Sequence, residues 1–309
     1  MSYRPGNPGD WGRMQETPDI RVGTLAPATI DTCRHYLRSW KTGSSDILLI
    51  MHGLGGHSGW YIDMGNKLAS RGLTVYAMDH RGFGRSGGLP GYINSYHTYI
   101  DDIVFLLGEI HERNPGSRVY VLGHSMGGLF AIHLAAAYGE MLDGILLLNP
   151  WIQDISQLSF FKILAIMLGG FFKSKRYWQV AGDTETMTTN PDAIRMLQHD
   201  PLWRREQTAS QLFQVTLMRF AAFSKAKGIT LPMLLMQAGK DKAIDMTVNK
   251  KLYDSLSCAD KTWIDYPNYA HDSEFEPDRS QMDNDIFTWI TEHAKQASDT
   301  PSSETSDAI

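Results

Sequence analysis

The sequence predicts an α/β protein with a mostly parallel central sheet, helices on both faces and a helical cap over one end of the sheet. Three observations predict it. Short apolar runs at 46–51, 73–78, 119–122, 145–148, 231–237 and 262–266 alternate with helical stretches, the pattern of strands joined by crossovers. The run Ile47-Leu48-Leu49-Ile50-Met51 lacks the polar alternation of a half-exposed strand, as a strand covered on both faces should. Between Pro150 and Gly228 the alternation stops and aromatic residues crowd in, Trp151, Phe171, Phe172, Trp178 and Trp203 among them. An insertion there would lie over the carboxyl ends of the strands, where open α/β sheets bind ligands. The expected division is a core of residues 1–150 and 229–297, a cap of 151–228, and a disordered tail of 298–309 rich in Ser, Thr and Asp.

Composition narrows the class. A chain of 309 residues can bury one large core, and an α/β domain with one insertion suits that length. The net charge of −5, without a basic stripe, argues against a nucleic-acid partner. Two cysteines, Cys33 and Cys258, suggest neither a disulfide framework nor a metal cluster, and point to a reducing, cytoplasmic compartment. Residues 1–8 lack the apolar core of a signal peptide, and no run reaches the roughly 20 apolar residues of a membrane span.

The run 118–122 leads into Gly123-His124-Ser125-Met126-Gly127 and then into the helix-forming stretch from Leu129 to Ala137. This G-x-S-x-G between strand and helix is where a nucleophilic serine sits: the sharp turn exposes the hydroxyl, and glycine at the flanking positions relieves crowding. The amide of Met126 then lies at a helix N-terminus, where it can stabilise negative charge. A second match, Gly84-Arg85-Ser86-Gly87-Gly88, has no strand running into it, and Gly88-Leu89-Pro90-Gly91 cannot start a helix, so Ser86 reads as a loop serine.

A serine nucleophile needs a base, and the base an acid to fix its tautomer. With this elbow the acid and then the histidine follow in chain order. His271 emerges after the last strand, whereas His293 falls on the terminal helix. For the acid, Asp241 follows the strand at 231–237 with Gly239 in the turn; Asp245 is placed to cap the next helix, and Asp154, after the preceding strand, is the fallback. The glycine-rich loop His52-Gly53-Leu54-Gly55-Gly56 can approach a substrate closely, which makes the amide of Leu54 the second oxyanion donor. Gly53, Trp60 and His124 near the elbow, with Phe160 and Phe161 in the cap, are the expected substrate-contacting residues. His52, His57, His80 and His124 lack zinc-site spacing, so no metal and no cofactor are expected.

The apolar stretch 158–172, followed by Lys173, Lys175 and Arg176, is too short and interrupted to span a bilayer. It fits either a cap helix packed on the core or a lipid-facing helix whose basic flank touches a membrane surface, which would make the protein peripheral there.

Several blocks together, His52-Gly53-x-Gly55 with His57-Ser58-Gly59, Asp79-His80-Arg81-Gly82-Phe83-Gly84, Gly123-His124-Ser125-Met126-Gly127-Gly128, His199-Asp200-Pro201-Leu202 and His271 with Glu276-Pro277, resemble the monoacylglycerol lipases and lysophospholipases. The resemblance covers about residues 30–295. It implies the α/β-hydrolase fold with the cap inserted after the sixth strand. It also implies hydrolysis of a small ester with one acyl chain by acylation of Ser125, His271 acting as base and then acid, Asp241 orienting it, and the Leu54 and Met126 amides holding the oxyanion.

One departure matters. Members similar to monoglyceride lipases usually read H-G-x-G-E-H-S-G-R-Y, and here the Glu and Arg positions hold Gly56 and Trp60. Loss of two polar groups near the alcohol side weakens strict glycerol recognition and admits a bulkier or more apolar alcohol. Other readings of the same triad are acyl transfer, amidase or peptidase work, with Asp183 and Glu185 as acids that could grip an amine. A non-catalytic small-ligand receptor is a further reading, against which the full triad stands. Ser125 excludes the aspartate-nucleophile dehalogenases and epoxide hydrolases of this fold.

Overall fold

A computed structural model of the protein describes residues 20–21, 33–155, 159–180 and 183–299. Its seven-stranded sheet comprises β1 (Leu37–Trp40), β2 (Asp46–Met51), β3 (Thr74–Met78), β4 (Arg118–His124), β5 (Gly144–Leu148), β6 (Met233–Ala238) and β7 (Lys261–Tyr266). The order across the sheet is β7-β6-β5-β4-β2-β3-β1. All pairs are parallel except β1 with β3. The antiparallel edge strand β1 was not among the expected runs: it reads Leu-Arg-Ser-Trp, too short and polar to stand out.

The helices of the core are α1 (Ile62–Ser70), α2 (His97–Arg113) and α3 (Met126–Tyr138) before the cap, and α8 (Met246–Ser255) and α9 (Ser280–Asp299) after it. The unbroken apolar run of β2 explains its place at the centre. Ile47, Leu49 and Met51 join one buried cluster with residues of α2 and α3, while Leu48 and Ile50 join another with residues of α1 and α9. The ten residues of α3 from Met126 to Ala135 are all buried, because the helix is covered by the sheet on one side and by α2 and a cap helix on others.

The cap leaves the sheet after β5, the fifth strand of the sheet in chain order rather than the sixth. It contains α4 (Phe160–Phe171), α5 (Thr184–Met187), α6 (Pro191–Gln198) and α7 (Ala209–Ala226). It is also not wholly helical: Tyr177–Gln179 and Glu206–Thr208 form an antiparallel ribbon. α7 runs back to the core and packs on α3, where the His133 ring meets the Met218 carbonyl at 3.0 Å. Along its length α7 also carries α4, so the roof of the site is braced from below. The tail expected from 298 begins instead as the last two residues of α9; the remainder lies outside the described residues.

Because β3 continues the sheet on one side of β2 and β4 on the other, the chain reverses direction across the sheet between β2 and β4. Ligands gather at such a switch point. Met51 is paired with Gly123, so the loops leaving β2 and β4 emerge side by side.

Candidate active site

Ser125 sits at that point with φ 53° and ψ −112°, a left-handed conformation that costs a non-glycine residue about 1–3 kcal/mol. Neighbouring strands hold it there. Its N–H donates to the Leu148 carbonyl at 2.9 Å, and its own carbonyl accepts from Gly128 and Trp151, both at 3.0 Å. The flanking glycines are steric requirements: a Cβ on Gly123 would lie 2.2 Å from the Gly127 carbonyl oxygen, and one on Gly127 would lie 2.2 Å from that of Met51. Met126 is the first residue of α3.

The loop after β2 closes on the same point. A Cβ on Gly53 would be 3.1 Å from that of Ser125, so Gly53 and Leu54 run directly past the serine. The His52 ring holds this loop, with Nδ1 2.7 Å from the Gly53 carbonyl and Nε2 accepting from the His80 N–H at 3.0 Å. Burial pushes its pKa down to about 3, so His52 works as a neutral hydrogen-bonding group.

His271 and Asp241 come from the loops after β7 and β6. His271 Nδ1 is 2.7 Å from Asp241 Oδ2, while Asp241 Oδ1 accepts from the amides of Ala243 at 2.8 Å and Ile244 at 2.9 Å. Burial alone would lower the pKa of His271, but the Asp241 carboxylate beside it outweighs burial and pushes it up to about 9. Burial raises Asp241 in turn, and the imidazolium and the three hydrogen bonds bring it below the ordinary carboxylate range. Of the other acids, Asp245 caps α8 by accepting from Thr247 N–H, and Asp154 is paired with Arg219 at 2.9 Å. Ser86 is a loop serine, accepting from Tyr36 N–H and donating to the Asp79 carbonyl.

Ser125, His271, Gly53, Leu54, Trp60 and His124 all line one cavity of about 410 Å³ beneath the cap. Phe160 and Phe161 do not: they are 71% and 80% exposed on the outer face of α4, and the same helix turns Ile163, Ile166 and Met167 into the cavity. The difference is one of helix phase. Phe161 falls two, five and six positions before Ile163, Ile166 and Met167 and so points away from them, while Phe160, three and seven positions before Ile163 and Met167, lies in the first turn ahead of the part of α4 that reaches the cavity.

Two residues that assemble the site carried no assigned role in the sequence. Asn149, at the end of β5 with φ 44°, donates to the His271 carbonyl at 2.7 Å and accepts from Ala238 N–H at 2.7 Å, tying the acid strand to the base loop. Its only sequence signal is an Asn before Pro150 at a strand end. Glu276 accepts from the amides of Ala270 at 3.1 Å and Thr189 at 2.9 Å, joining the base loop to the cap.

His124, His271 and Asp272 bring ligand atoms within 4.8 Å of one another. They do not make a three-ligand metal site, because both His124 nitrogens are committed and only His271 Nε2 and the Asp272 carboxylate keep free lone pairs. His124 Nε2 faces the His271 carbonyl at 3.1 Å and so carries the proton, His124 Nδ1 meets the Tyr61 hydroxyl at 3.0 Å, and His271 Nδ1 faces Asp241.

The fold and the cavity at its switch point define an α/β-hydrolase. The model of the Hydrolase_4 family, described as serine aminopeptidase, S33, matches residues 43–278, and the chain belongs to this family of serine hydrolases. It is similar to a monoacylglycerol lipase of Mycolicibacterium smegmatis, 25% identical over 254 residues that cover 82% of this chain and 90% of the relative. It is also similar to the monoglyceride lipase of Homo sapiens, 27% identical over 272 residues, covering 85% and 88%. A crystal structure of a monoacylglycerol lipase from Paleococcus ferrophilus superposes with a TM-score of 0.77 at 24% identity, covering 84% of this chain and 99% of that one.

Proposed function

We propose that the protein hydrolyses carboxylic esters with a single acyl chain through an acyl-enzyme on Ser125. In this reaction His271 takes the Ser125 proton as Oγ attacks the ester carbonyl, and the amides of Leu54 and Met126 receive the developing oxyanion. The imidazolium then gives its proton to the leaving alcohol, a water enters, and His271 acts as base again to release the acid. Asp241 holds the imidazole with Nδ1 protonated, leaving Nε2 free to accept. The observation that carries this reading is the Asp241–His271 pair at 2.7 Å, whose histidine lines the same cavity as a serine held at φ 53°.

A single acyl chain suits the cavity, whose cap side is the apolar trough of Ile163, Ile166, Met167 and Leu212. The relatives named above are monoacylglycerol lipases, which favours the same substrate class. The peptidase reading is weaker: Asp183 and Glu185 are exposed and outside the cavity wall, and the cavity's Asp154 is already neutralised by Arg219. The test is kcat/KM on acyl esters from C2 to C18 beside Ser125→Ala. Activity abolished by the substitution and rising with chain length supports the reading; activity that survives it refutes the assignment of Ser125.

The outer face of α4 favours peripheral contact with a membrane, the source of such lipids. Phe160, Phe161, Leu168, Phe171 and Phe172 are each more than half exposed there, beside Lys162, Lys173, Lys175 and Arg176. Among the described residues no helix is long and apolar enough to cross a membrane.

A further inference from the structure

The wall that faces the leaving group differs in kind from one built for a polyol. The leaving oxygen must come within hydrogen-bond reach of His271, which protonates it, so the alcohol occupies the part of the cavity against the His271 loop. That part can be located. Asp272 N–H donates to the Met187 carbonyl at 2.7 Å, which sets Met187 over the loop. The Trp60 ring stands edge-on to Phe275, in the turn just after His271, with centroids 5.5 Å apart. It also stands edge-on to Trp203 at 6.0 Å. Trp60, Trp203 and Met187 all line the cavity.

These groups offer carbon rather than hydrogen bonds. The Trp60 N–H already donates to Asp200 Oδ2 at 2.8 Å, and the same oxygen meets His57 Nε2 at 2.8 Å. Thr186 Oγ1, beside Met187, donates to the Asp183 carbonyl at 2.7 Å. Of the nearby acids, Glu274 is 3% exposed and does not line the cavity, and Asp272, which does, is only 1% exposed. Glycine at 56 is part of the same arrangement: a Cβ there would lie 3.0 Å from both Cε3 and Cζ3 of Trp60, so the small residue leaves the indole its place.

Resting on the ester-hydrolase reading, we infer that the natural substrates are esters whose alcohol is a bulky apolar or aromatic group, with Trp60 as the residue that selects it and Gly56 and Asp200 as the residues that position the indole. A glycerol group would bring two hydroxyls to a wall whose Trp60 N–H and Thr186 hydroxyl are already engaged, and would lose the ring contacts that an aryl or cycloalkyl group gains.

The experiment holds the acyl chain constant and varies the alcohol, comparing 1-octanoylglycerol, benzyl octanoate and cyclohexylmethyl octanoate in wild type, Ser125→Ala, Trp60→Ala and Gly56→Ala. The expected result is that wild type prefers the benzyl and cyclohexylmethyl esters by about 10-fold or more in kcat/KM. Trp60→Ala should bring the ratio to within about 3-fold by raising KM for the apolar esters, and Gly56→Ala, which displaces the ring without removing it, should move it the same way. An equal or better rate on 1-octanoylglycerol in the wild type overturns the inference while leaving the hydrolase reading intact, and requires no variant to fold. A wild type inert on all three esters, or activity kept in Ser125→Ala, overturns the hydrolase reading and the inference with it.

Discussion

Replacing Asp241 by Asn tests the assignment of the acid through a consequence of its hydrogen bonds. Oδ1 of Asp241 accepts from two buried backbone amides, at 2.8 and 2.9 Å, and Oδ2 faces His271 Nδ1 at 2.7 Å. An asparagine can satisfy the two amides only with its carbonyl oxygen, because pointing its NH2 at two N–H donors would leave all of them unpaired. The NH2 is then forced toward His271, which must present Nδ1 as an acceptor and carry its proton on Nε2. That tautomer cannot take a proton from Ser125. The expected loss in kcat is about 10⁴-fold, the size seen when a triad acid is converted to its amide. In barrier height this is about 5.4 kcal/mol. The assay is kcat on a soluble butyrate ester, with the circular dichroism and Tm of the variant measured beside it, since the swap preserves shape. Asp245→Asn is the internal control: its carboxylate lies outside the site, capping α8 through Thr247, and its loss should change kcat by less than about 2-fold, as distant surface substitutions do. A fall of less than 10-fold in Asp241→Asn, or comparable falls in both variants, refutes the reasoning.

Further outcomes follow from the same geometry. The activity of the wild type should climb with pH through the alkaline range, because the base must be neutral and His271 is pushed up to about 9; Asp241→Asn should shift that limb to lower pH, measured from kcat/KM between pH 5 and 10. The same linkage has a sign for stability. A raised histidine pKa favours folding fully below its unfolded value of about 6.5 and ceases to as pH rises through about 9, so urea midpoints should fall across that window and do so less in Asp241→Asn. Gly127→Ala places a Cβ 2.2 Å from the Met51 oxygen, a backbone atom that can move only with β2 and the oxyanion loop, so it should cost about 1–3 kcal/mol by denaturation and reduce kcat as well. Phe160→Ser with Phe161→Ser should leave stability and hydrolysis of soluble butyrate esters unchanged while weakening sedimentation with anionic vesicles, whereas Ile166→Ala, 5% exposed and lining the cavity, should cost about 2 kcal/mol or more and depress long-chain substrates most.

How much was legible in the sequence follows from what kind of interaction fixes each part. Five of the six strand runs were readable because a strand covered on both faces is largely apolar along its length, while the sixth, the partly exposed edge strand β7, kept its apolar centre; each run agrees with the structure to within two residues at either end. The edge strand β1 faces fewer neighbours and so carries no such demand. The places of Ser125, His271 and Asp241 were legible because they sit at a glycine-flanked turn and in two loops at strand ends, and the structure brings His271 to Asp241 and into the cavity that Ser125 lines. Phe160 and Phe161 show the opposite case. An apolar stretch announces that some face is apolar, but which side meets the cavity depends on how α4 lies on α7, and that angle is set by tertiary packing. Asn149 was silent, and Glu276 stood in a motif block without a role, for a related reason, since their work is to join segments 122 and 87 residues apart, a relation that no local pattern encodes.

These joining residues also explain how the site divides its labour. The proposed nucleophile Ser125 and the loop of Gly53 and Leu54 hang from β4 and β2, whose register fixes them, and Asn149 fastens the loops of Asp241 and His271 to the end of β5. None of those bonds involves the cap. The cap instead touches the machinery from its segment 183–206, among other places through Asp200 on His57 and Trp60, the Arg204 amide on the Gly55 carbonyl at 2.9 Å, the Met187 carbonyl on the Asp272 amide at 2.7 Å, and Thr189 on Glu276. Each contact lies beside the oxyanion loop or the base loop without supplying a reacting group. A change in the cap can therefore reshape the space around the leaving group while the bond-breaking geometry stays fixed from below. Trp60 is the hinge of that arrangement, because it belongs to the core by sequence yet takes its hydrogen-bond partner from the cap. Asp200→Asn puts this to the test: with one acceptor serving both His57 and the indole, weakening it should alter discrimination between alcohols in kcat/KM by more than it alters kcat on a small acetate ester. The reverse pattern would mean that the cap holds the chemistry in place and not only the specificity.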